Sequence, residues 1–325
     1  MPLNSISSID GRYNRSASVL SPIFSERGLM SYRIMVEGEY LIALSKLPIK
    51  LRKLSGKEEK IIRNLCNLKE EDAEIISDIE IKGHGNIKAT DHDVKAIEYF
   101  MKMKLSKTSL KDVLEWIHFA LTSEDINNLA YGLMLRDGTE VLLENLDRVL
   151  KEINRLAKVY SSLPMLARTH GQPASPSTFG KEFKVFASRL KRQIENLQKQ
   201  NILCKLNGAT GNYNAHTVSF PKINWLKFTE TFISKLNKLK LKTLRLETNL
   251  FTTQIEPRDS YIEIFDNLRR INTILIDFNQ DMWRYISDEW IIQKPVKDTV
   301  GSSTMPHKIN PIKFENSEGN LGMAN

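Results

Sequence analysis

Three polar stretches of the sequence contain most of its reactive side chains. Residues 90–96 hold His92, residues 169–177 hold His170, and residues 301–311 read GSSTMPHKINP. Imidazole and hydroxyl groups can transfer protons, and an ammonium group can bind an anion, so these side chains could support acid–base chemistry. Taken one at a time, however, each stretch is more typical of a loop, a helix cap or a turn than of an active site.

The sequence lacks the short motifs of several common enzyme classes. It contains no phosphate-binding GxxxxGK[ST], no GxGxxG after a strand, no HExxH and no GxSxG. Cys66 and Cys204 lie far apart without a CxxC pair, so they predict neither a disulfide framework nor a zinc site. We therefore expect no metal and no cofactor, which leaves a cofactor-free enzyme or a binding protein.

Composition indicates an ordinary globular protein. The 325 residues are 41% apolar and 26% charged, which excludes disorder, and this length suggests about two domains. The net charge of +8 is compatible with nucleic acid, but the basic stretch 235–245 has no interleaved aromatic residues and reads as a solvated face. Neither a membrane helix nor a secretion signal is recognisable, and the best apolar run, 271–278, is too short. We expect a cytoplasmic protein without nucleic-acid or membrane partners.

The elements that must position these side chains are long helices. Apolar residues recur at steps of three and four along 142–160, 183–197 and 264–285. Each such stripe needs a partner helix, so several in one chain predict an all-α helical bundle. The first 108 residues are interrupted by Pro and Gly, with shorter helices predicted at 29–47 and 57–78.

We place a domain boundary at residue 109, because Ser109 is a plausible N-cap for a resumed helix. This gives an N-terminal helical domain, 1–108, and a central long-helix bundle, 109–325. Three polar interruptions lie between the long helices, at 163–178, 207–221 and 294–311. Loops at the ends of a bundle can carry chemistry on a rigid scaffold.

Together the three reactive stretches resemble the fumarase/aspartase superfamily. Residues 301–311 match its signature GSSxMPxKxNP throughout, and THGQPA at 169–174 resembles its histidine segment. Further segments resemble the adenylosuccinate lyase family of the longer bacterial type: DGRY at 10–13, TSEDINN at 122–128, NGATGNYNAH at 207–216 and TTQIEP at 252–257. An ordered series of motifs is far more specific than any one of them.

The resemblance implies a carbon–nitrogen lyase that releases fumarate by β-elimination. Its substrates would be adenylosuccinate and the succinyl-carboxamide ribotide of purine synthesis. By resemblance, Ser302 is the general base, His170 is the general acid, and Glu315 orients His170. A family member is also expected to be a homotetramer whose active sites are shared between subunits. Another lyase of the superfamily, such as argininosuccinate lyase, is the alternative enzyme.

The resemblance also implies a set of substrate-binding residues. They are Arg12, Tyr13, Asp91, His92, Asp93, Thr122, Ser123, Gln254, Lys308 and Asn310. An Arg fork suits a nucleotide phosphate, and an ammonium group or an amide suits a carboxylate. Structural roles are the alternative for some positions: Thr122 as a helix cap, Gln254 as a turn brace and Glu315 as an exposed helix residue.

The sequence departs from the family pattern in three places. Asp91 stands where the family commonly has Asn, next to His92, and its charge could raise the pKa of that histidine or repel an anionic substrate. The Lys-rich segment 234–250 is longer than usual and is interpreted as a surface excursion. Family members continue beyond Asn325 into a third helical domain, so we expect a C-terminally truncated chain. An inactive helical scaffold of the same lineage is therefore a further alternative.

Overall fold

The computed structural model describes residues 4–240, 242–294 and 309–325. Helices dominate these residues, which confirms the predicted all-α class. The α-helices are α1 Asn14–Ala17, α2 Ser21–Phe24, α3 Glu26–Leu44, α4 Gly56–Asn64, α5 Glu70–Ile81, α6 Asp93–Leu105, α7 Ser123–Val159, α8 Phe179–Gln198, α9 Asn214–Ser219, α10 Trp225–Leu239, α11 Asp259–Ser287 and α12 Ile312–Ala324. Short 3-10 helices cover Ser18–Leu20 and Leu114–Trp116. The strands are β1 Pro164–Thr169, β2 Gln172–Thr178, β3 Asn201–Cys204 and β4 Arg245–Thr248.

The chain divides into two compact units. Unit 1 comprises Met1–Leu142 with Asn201–Ser260, and unit 2 comprises Leu143–Gln200 with Tyr261–Asn325. One border between the units falls inside α7. The domain boundary expected at residue 109 stays a prediction.

The core of unit 1 is built around α3. Its apolar residues lie on most sides of the helix rather than on one stripe, as is typical of a buried helix, and Ser25 caps its start by accepting from the Gly28 amide. The ring of Tyr40 on α3 lies 5.9 Å from each of the rings of Phe228 and Phe232 on α10. α3 therefore provides a rigid support for the segments that pack around it.

Two predictions about helices in unit 1 were wrong. The helix expected over 57–78 is two helices, α4 and α5, separated by a short turn. The helix expected to resume at Ser109 begins only at Ser123. His118 and Ala120 have left-handed backbone conformations, with φ of 62° and 59°, and a right-handed helix cannot pass through such residues.

The Lys-rich segment 234–250 is not simply a surface excursion, so that interpretation was wrong. Its first part completes α10, and β4 pairs in parallel with β3. Leu244 and Leu246 are buried, whereas Arg245 between them is exposed. Alternation along the strand thus buries the leucines and leaves the basic side chain in solvent.

The long helices predicted from the three apolar stripes are confirmed as α7, α8 and α11. Phe186 of α8 meets Phe278 of α11 with ring centroids 5.2 Å apart. The interruption at 163–178 is an antiparallel hairpin of β1 and β2, in which Thr169 pairs with Gln172. Among the described residues, no helix combines the length and apolar character needed to cross a membrane.

Candidate active site

In unit 1, His92 and Ser123 lie in contact, although they are 31 residues apart in sequence. His92 caps the start of α6, where its Nδ1 accepts a hydrogen bond from the Lys95 amide at 3.3 Å. Its Nε2 lies 3.2 Å from Oγ of Ser123, the first residue of α7. Because an amide only donates, Nδ1 carries no proton, so Nε2–H donates to the Ser123 hydroxyl. The starts of two helices therefore bring together two residues expected to bind substrate.

The aspartates beside His92 have different environments. Asp91 is exposed, has a left-handed backbone with φ of 46°, and donates its amide to Glu80 O at 2.9 Å. The Asp93 carboxylate forms an ion pair with Arg33, and Arg33 also donates to Asn127 Oδ1 at 2.9 Å. Asp93 thus anchors the start of α6 to α3 and α7.

A buried ion pair fixes the segment that carries Thr122. The Thr122 amide donates to Asp125 Oδ2 at 3.0 Å, so Asp125 rather than Thr122 supplies the side-chain cap. Asp125 Oδ1 accepts from Lys205 Nζ at 2.7 Å and from the Asn207 amide at 3.1 Å, and both charged side chains are completely buried. Lys205 Nζ also donates to Gly208 O at 3.0 Å. The TSEDINN and NGATGNYNAH motifs are therefore two halves of one hydrogen-bonded structure.

Two histidines support the turn that leads into α7. His118 Nδ1 lies 2.5 Å from Glu37 Oε1; burial disfavours its charge, but the Glu37 carboxylate outweighs this and raises the pKa of His118. His216 Nε2 lies 3.1 Å from the Tyr40 hydroxyl, which itself donates to Phe119 O. Burial lowers the pKa of His216 to about 4. The surroundings therefore shift the pKa values of these two histidines in opposite directions.

Gln254 is exposed on the loop between β4 and α11. The loop packs against the NGATGNYNAH segment, since Asn207 Nδ2 donates to Thr252 Oγ1 at 2.8 Å. A Cβ added at Gly211, where φ is 79°, would lie 2.1 Å from Thr252 O. Only a glycine allows this approach of two backbones. Arg12, which is exposed, and Tyr13, which is half-buried, lie at the start of α1 in the same unit.

In unit 2, His170 is exposed at the tip of the β1–β2 hairpin. His170 and Gly171 both have positive φ, 52° and 75°, as the central residues of a type I′ turn require. Arg168 braces this turn by donating to Gly171 O at 3.0 Å, and its guanidinium lies 6.0 Å from the centroid of the Trp290 ring. The turn therefore presents the imidazole on a fixed backbone.

The His170 turn and Glu315 border one cavity of about 900 Å³. Thr169 and Gly171, on either side of His170, line this cavity, as does Glu315 in the first turn of α12. Glu315 Oε1 accepts from Trp283 Nε1 at 3.3 Å. Glu315 therefore reaches the cavity of the His170 turn, and its hydrogen-bond partner here is an indole.

The same cavity contains charged side chains of both signs. Arg168, Lys181 and Arg284 face it together with Glu182 and Asp281. Burial, followed by the nearby carboxylates of Asp277 and Glu182, raises the pKa of Asp281. Such a lining suits a substrate that carries both anionic and hydrogen-bonding groups.

The remaining expected residues belong to the GSSxMPxKxNP segment. Asn310 is exposed and lies two residues before the start of α12. Ser302 and Lys308 lie outside the described residues. Among the residues described, no group of three or more His, Cys, Asp or Glu side chains could hold a metal ion.

Sequence reasoning missed several residues that organise unit 1. Asp125 and Glu124 lie inside the TSEDINN motif, and the motif is the only sequence feature that indicates them. No sequence feature indicates Lys205, because an isolated lysine is normally interpreted as solvated. Arg258 follows TTQIEP, and its contact with Glu124 becomes visible only in the folded chain.

The fold has counterparts among solved structures. The fumarate lyase from Mesorhizobium sp. BNC1 matches with a TM-score of 0.67 and 18% identity, over 94% of this chain and 63% of that one. The β-carboxy-cis,cis-muconate cycloisomerase from Acinetobacter calcoaceticus sp. ADP1 matches with a TM-score of 0.70 and 16% identity, over 94% and 64%. The family model described as lyase matches residues 11–324. Fold and sequence together therefore define an enzyme of the lyase class.

Sequence comparison with individual enzymes identifies the family within the lyase class. The chain is 47% identical to adenylosuccinate lyase of Haemophilus influenzae, 49% to that of Dictyostelium discoideum and 45% to that of Escherichia coli K12. Each match covers 99% of this chain and 69%, 68% and 69% of the relative, respectively. The chain belongs to the adenylosuccinate lyase family, as its motifs predicted.

Proposed function

We propose that the chain catalyses β-elimination of fumarate from adenylosuccinate, giving AMP, and from the succinyl-carboxamide ribotide intermediate of purine synthesis. The observation that carries this proposal is the identity of 45–49% to three adenylosuccinate lyases over 99% of the chain. The reaction needs a base, an acid and groups that hold a carboxylate, and no step of it needs a metal or a cofactor.

In the proposed reaction, Ser302 removes a proton from the succinyl carbon next to a carboxylate. The electron pair of that C–H bond passes through a carboxylate-stabilised intermediate and forms the double bond of fumarate. The C–N bond breaks with its electron pair on nitrogen, and His170 donates the proton that nitrogen takes up. Lys308 and Asn310 bind the carboxylate on which negative charge develops, and Glu315 orients His170. A serine hydroxyl is a weak base, so Ser302 must be activated by its surroundings.

His92 and Ser123 supply a donor suited to a substrate carboxylate. Nε2–H of His92 donates to the Ser123 hydroxyl oxygen, which leaves the hydroxyl proton free to donate outward. Thr122 adds a second hydroxyl, and Gln254 adds an amide. Arg12 and Tyr13 would hold the nucleotide end, with the guanidinium on the phosphate. Asp91 and Asp93 flank His92, and Asp93 acts through its pair with Arg33.

We further propose that the chain acts in the cytoplasm as a homotetramer whose active sites are shared between subunits. The residues expected to act together lie on segments of both units, which is compatible with sites completed by neighbouring subunits. The proposed domains are 1–108 and 109–325.

The test is the release of fumarate from three substrates by the purified chain. We expect release from adenylosuccinate and from the succinyl-carboxamide ribotide, and none from argininosuccinate. Release from argininosuccinate alone would instead assign the chain to that reaction. No release from any substrate would favour the inactive scaffold and contradict the proposal.

A further inference from the structure

The loop that carries Gln254 is fixed at both ends. At its start, the Asn249 amide donates to Cys204 O at 2.8 Å, and Asn249 Nδ2 donates to Glu256 Oε1 at 3.1 Å. At its end, the Arg258 amide donates to the other Glu256 oxygen at 2.6 Å. The Glu256 side chain is buried, so it closes the loop from inside.

A side chain from the end of this loop reaches the first turns of α7. Arg258 Nη2 donates to Glu124 Oε1 at 3.1 Å, across 134 residues of sequence. The same guanidinium lies 5.3 Å from the centroid of the Tyr131 ring, two helical turns further along α7. Glu124 directly follows Ser123, so Arg258 links the Gln254 loop to the helix start that carries the Thr122 and Ser123 hydroxyls.

The left-handed backbone conformation of Arg258 indicates that the contacts of its side chain contribute to the structure. Its φ is 66°, in the left-handed region that favours glycine. A glycine or an asparagine would make the same turn into α11 at lower cost. An arginine persists in such a conformation when contacts of its side chain compensate the backbone, and the Glu124 and Tyr131 contacts are of that kind.

We propose that Arg258 is a positioning residue that holds the Gln254 loop against the first turn of α7. Through the Glu124 ion pair, it keeps the Gln254 amide and the hydroxyls of Thr122 and Ser123 facing one substrate. This inference rests on the proposed function. It assigns Arg258 and Glu124 to substrate binding without contact with the reacting atoms.

The test compares steady-state constants of the full chain with those of Arg258→Gln. Loss of the brace weakens substrate binding in ground and transition states alike, so KM for adenylosuccinate should rise about tenfold while kcat changes less than about threefold. Arg258→Lys keeps the positive charge, so its KM should lie between those of wild type and Arg258→Gln. Arg27→Gln is the control, because the Arg27 side chain is about as exposed as that of Arg258 and its pair with Glu70 also joins distant segments, but the pair adjoins no expected site residue. Its KM should equal that of wild type.

Two further variants separate binding from folding. Arg258→Gly relieves the strained backbone, so it should fold with a wild-type melting temperature and still show the raised KM. Glu124→Gln should raise KM similarly, and combining it with Arg258→Gln should add little, because the two side chains act as one unit. A wild-type KM in Arg258→Gly and Arg258→Gln would overturn the inference while leaving the proposed function intact. A lowered melting temperature and kcat without a change in KM would also overturn it. Absence of turnover in the wild type would overturn both.

Discussion

At the scale of single residues, unit 1 uses two histidines in opposite ways around one turn. Glu37 raises the pKa of His118, whereas burial lowers that of His216 to about 4. His216 is almost completely buried, with Nε2 directed at the Tyr40 hydroxyl. Its environment therefore favours an uncharged imidazole, and protonation should be costly.

His216 should make the protein less stable as pH falls. The unfolded state binds a proton near pH 6.5 and the folded state only near pH 4, so the free energy of unfolding decreases between these values. From pH 7.5 to pH 5.0 the loss attributable to this residue should be about 2 kcal/mol. His216→Gln keeps a donor for Tyr40 but cannot titrate.

Urea unfolding of both proteins at the two pH values measures this effect. The variant should lose about 2 kcal/mol less than wild type over this interval. At pH 7.5, the difference in the free energy of unfolding between His216→Gln and wild type reports the change in packing alone. The same pH dependence in both proteins would contradict a neutral, buried His216.

The sequence identifies some site residues better than others. His170 and Ser302 stand in segments whose residue types and order resemble a whole family, so a role could be assigned to each. Arg258, Glu124 and Lys205 could not be found in this way, because their roles depend on side-chain contacts across 80 to 134 residues. A pairing over that distance is a property of the fold.

At the scale of elements, long helices were predictable and short elements were not. Apolar stripes over many turns predicted α7, α8 and α11, because apolar residues repeated at steps of three and four are typical of a helix. The β1–β2 hairpin contains several prolines and little alternation, so it resembled a loop. The parallel pair of β3 and β4 has four residues in each strand, and the paired residues are 44 apart in sequence. Four residues are too few to show a recognisable strand pattern.

The approach of the 207–216 and 249–258 segments gives a sharp prediction for Gly211. A Cβ there would lie 2.1 Å from Thr252 O, a backbone atom that cannot move aside cheaply. Gly211→Ala should therefore lower the free energy of unfolding by more than about 2 kcal/mol, from left-handed backbone strain and the clash together. It should also raise KM, because it displaces the Gln254 loop.

Gly85→Ala is the matched control for this prediction. Gly85 also has a positive φ, 56°, but a Cβ added there meets nothing within 4 Å. It should cost only about 1 kcal/mol, from backbone strain alone. Equal unfolding midpoints for the two variants in urea would show that the close approach at Gly211 does not contribute to stability.

At the scale of the whole molecule, unit 2 has an apolar groove of about 740 Å³ between its helices. Val149, Tyr160, Leu163 and Ile292 line it and are exposed. Exposed apolar surface of this kind is typical of proteins that associate. It supports the proposed homotetramer.

Mixing two inactive variants tests whether active sites are shared between subunits. His170→Ala and Ser302→Ala should each be inactive. After dissociation and reassembly together, some sites should combine an intact His170 with an intact Ser302 from different subunits and regain activity. Light scattering should show a tetramer before and after mixing. A monomer, or a tetramer that regains no activity, would contradict shared sites.

The roles proposed for His170 and Ser302 are tested most directly by the kcat for fumarate release from saturating adenylosuccinate, measured for wild type, His170→Ala and Ser302→Ala. If an imidazole acid and a hydroxyl base carry the elimination, the wild type turns over and each variant loses at least about 100-fold in kcat. The melting temperature of His170→Ala should stay close to wild type, since His170 is exposed on its hairpin turn. A near-wild-type kcat in either variant would contradict the role assigned to that residue.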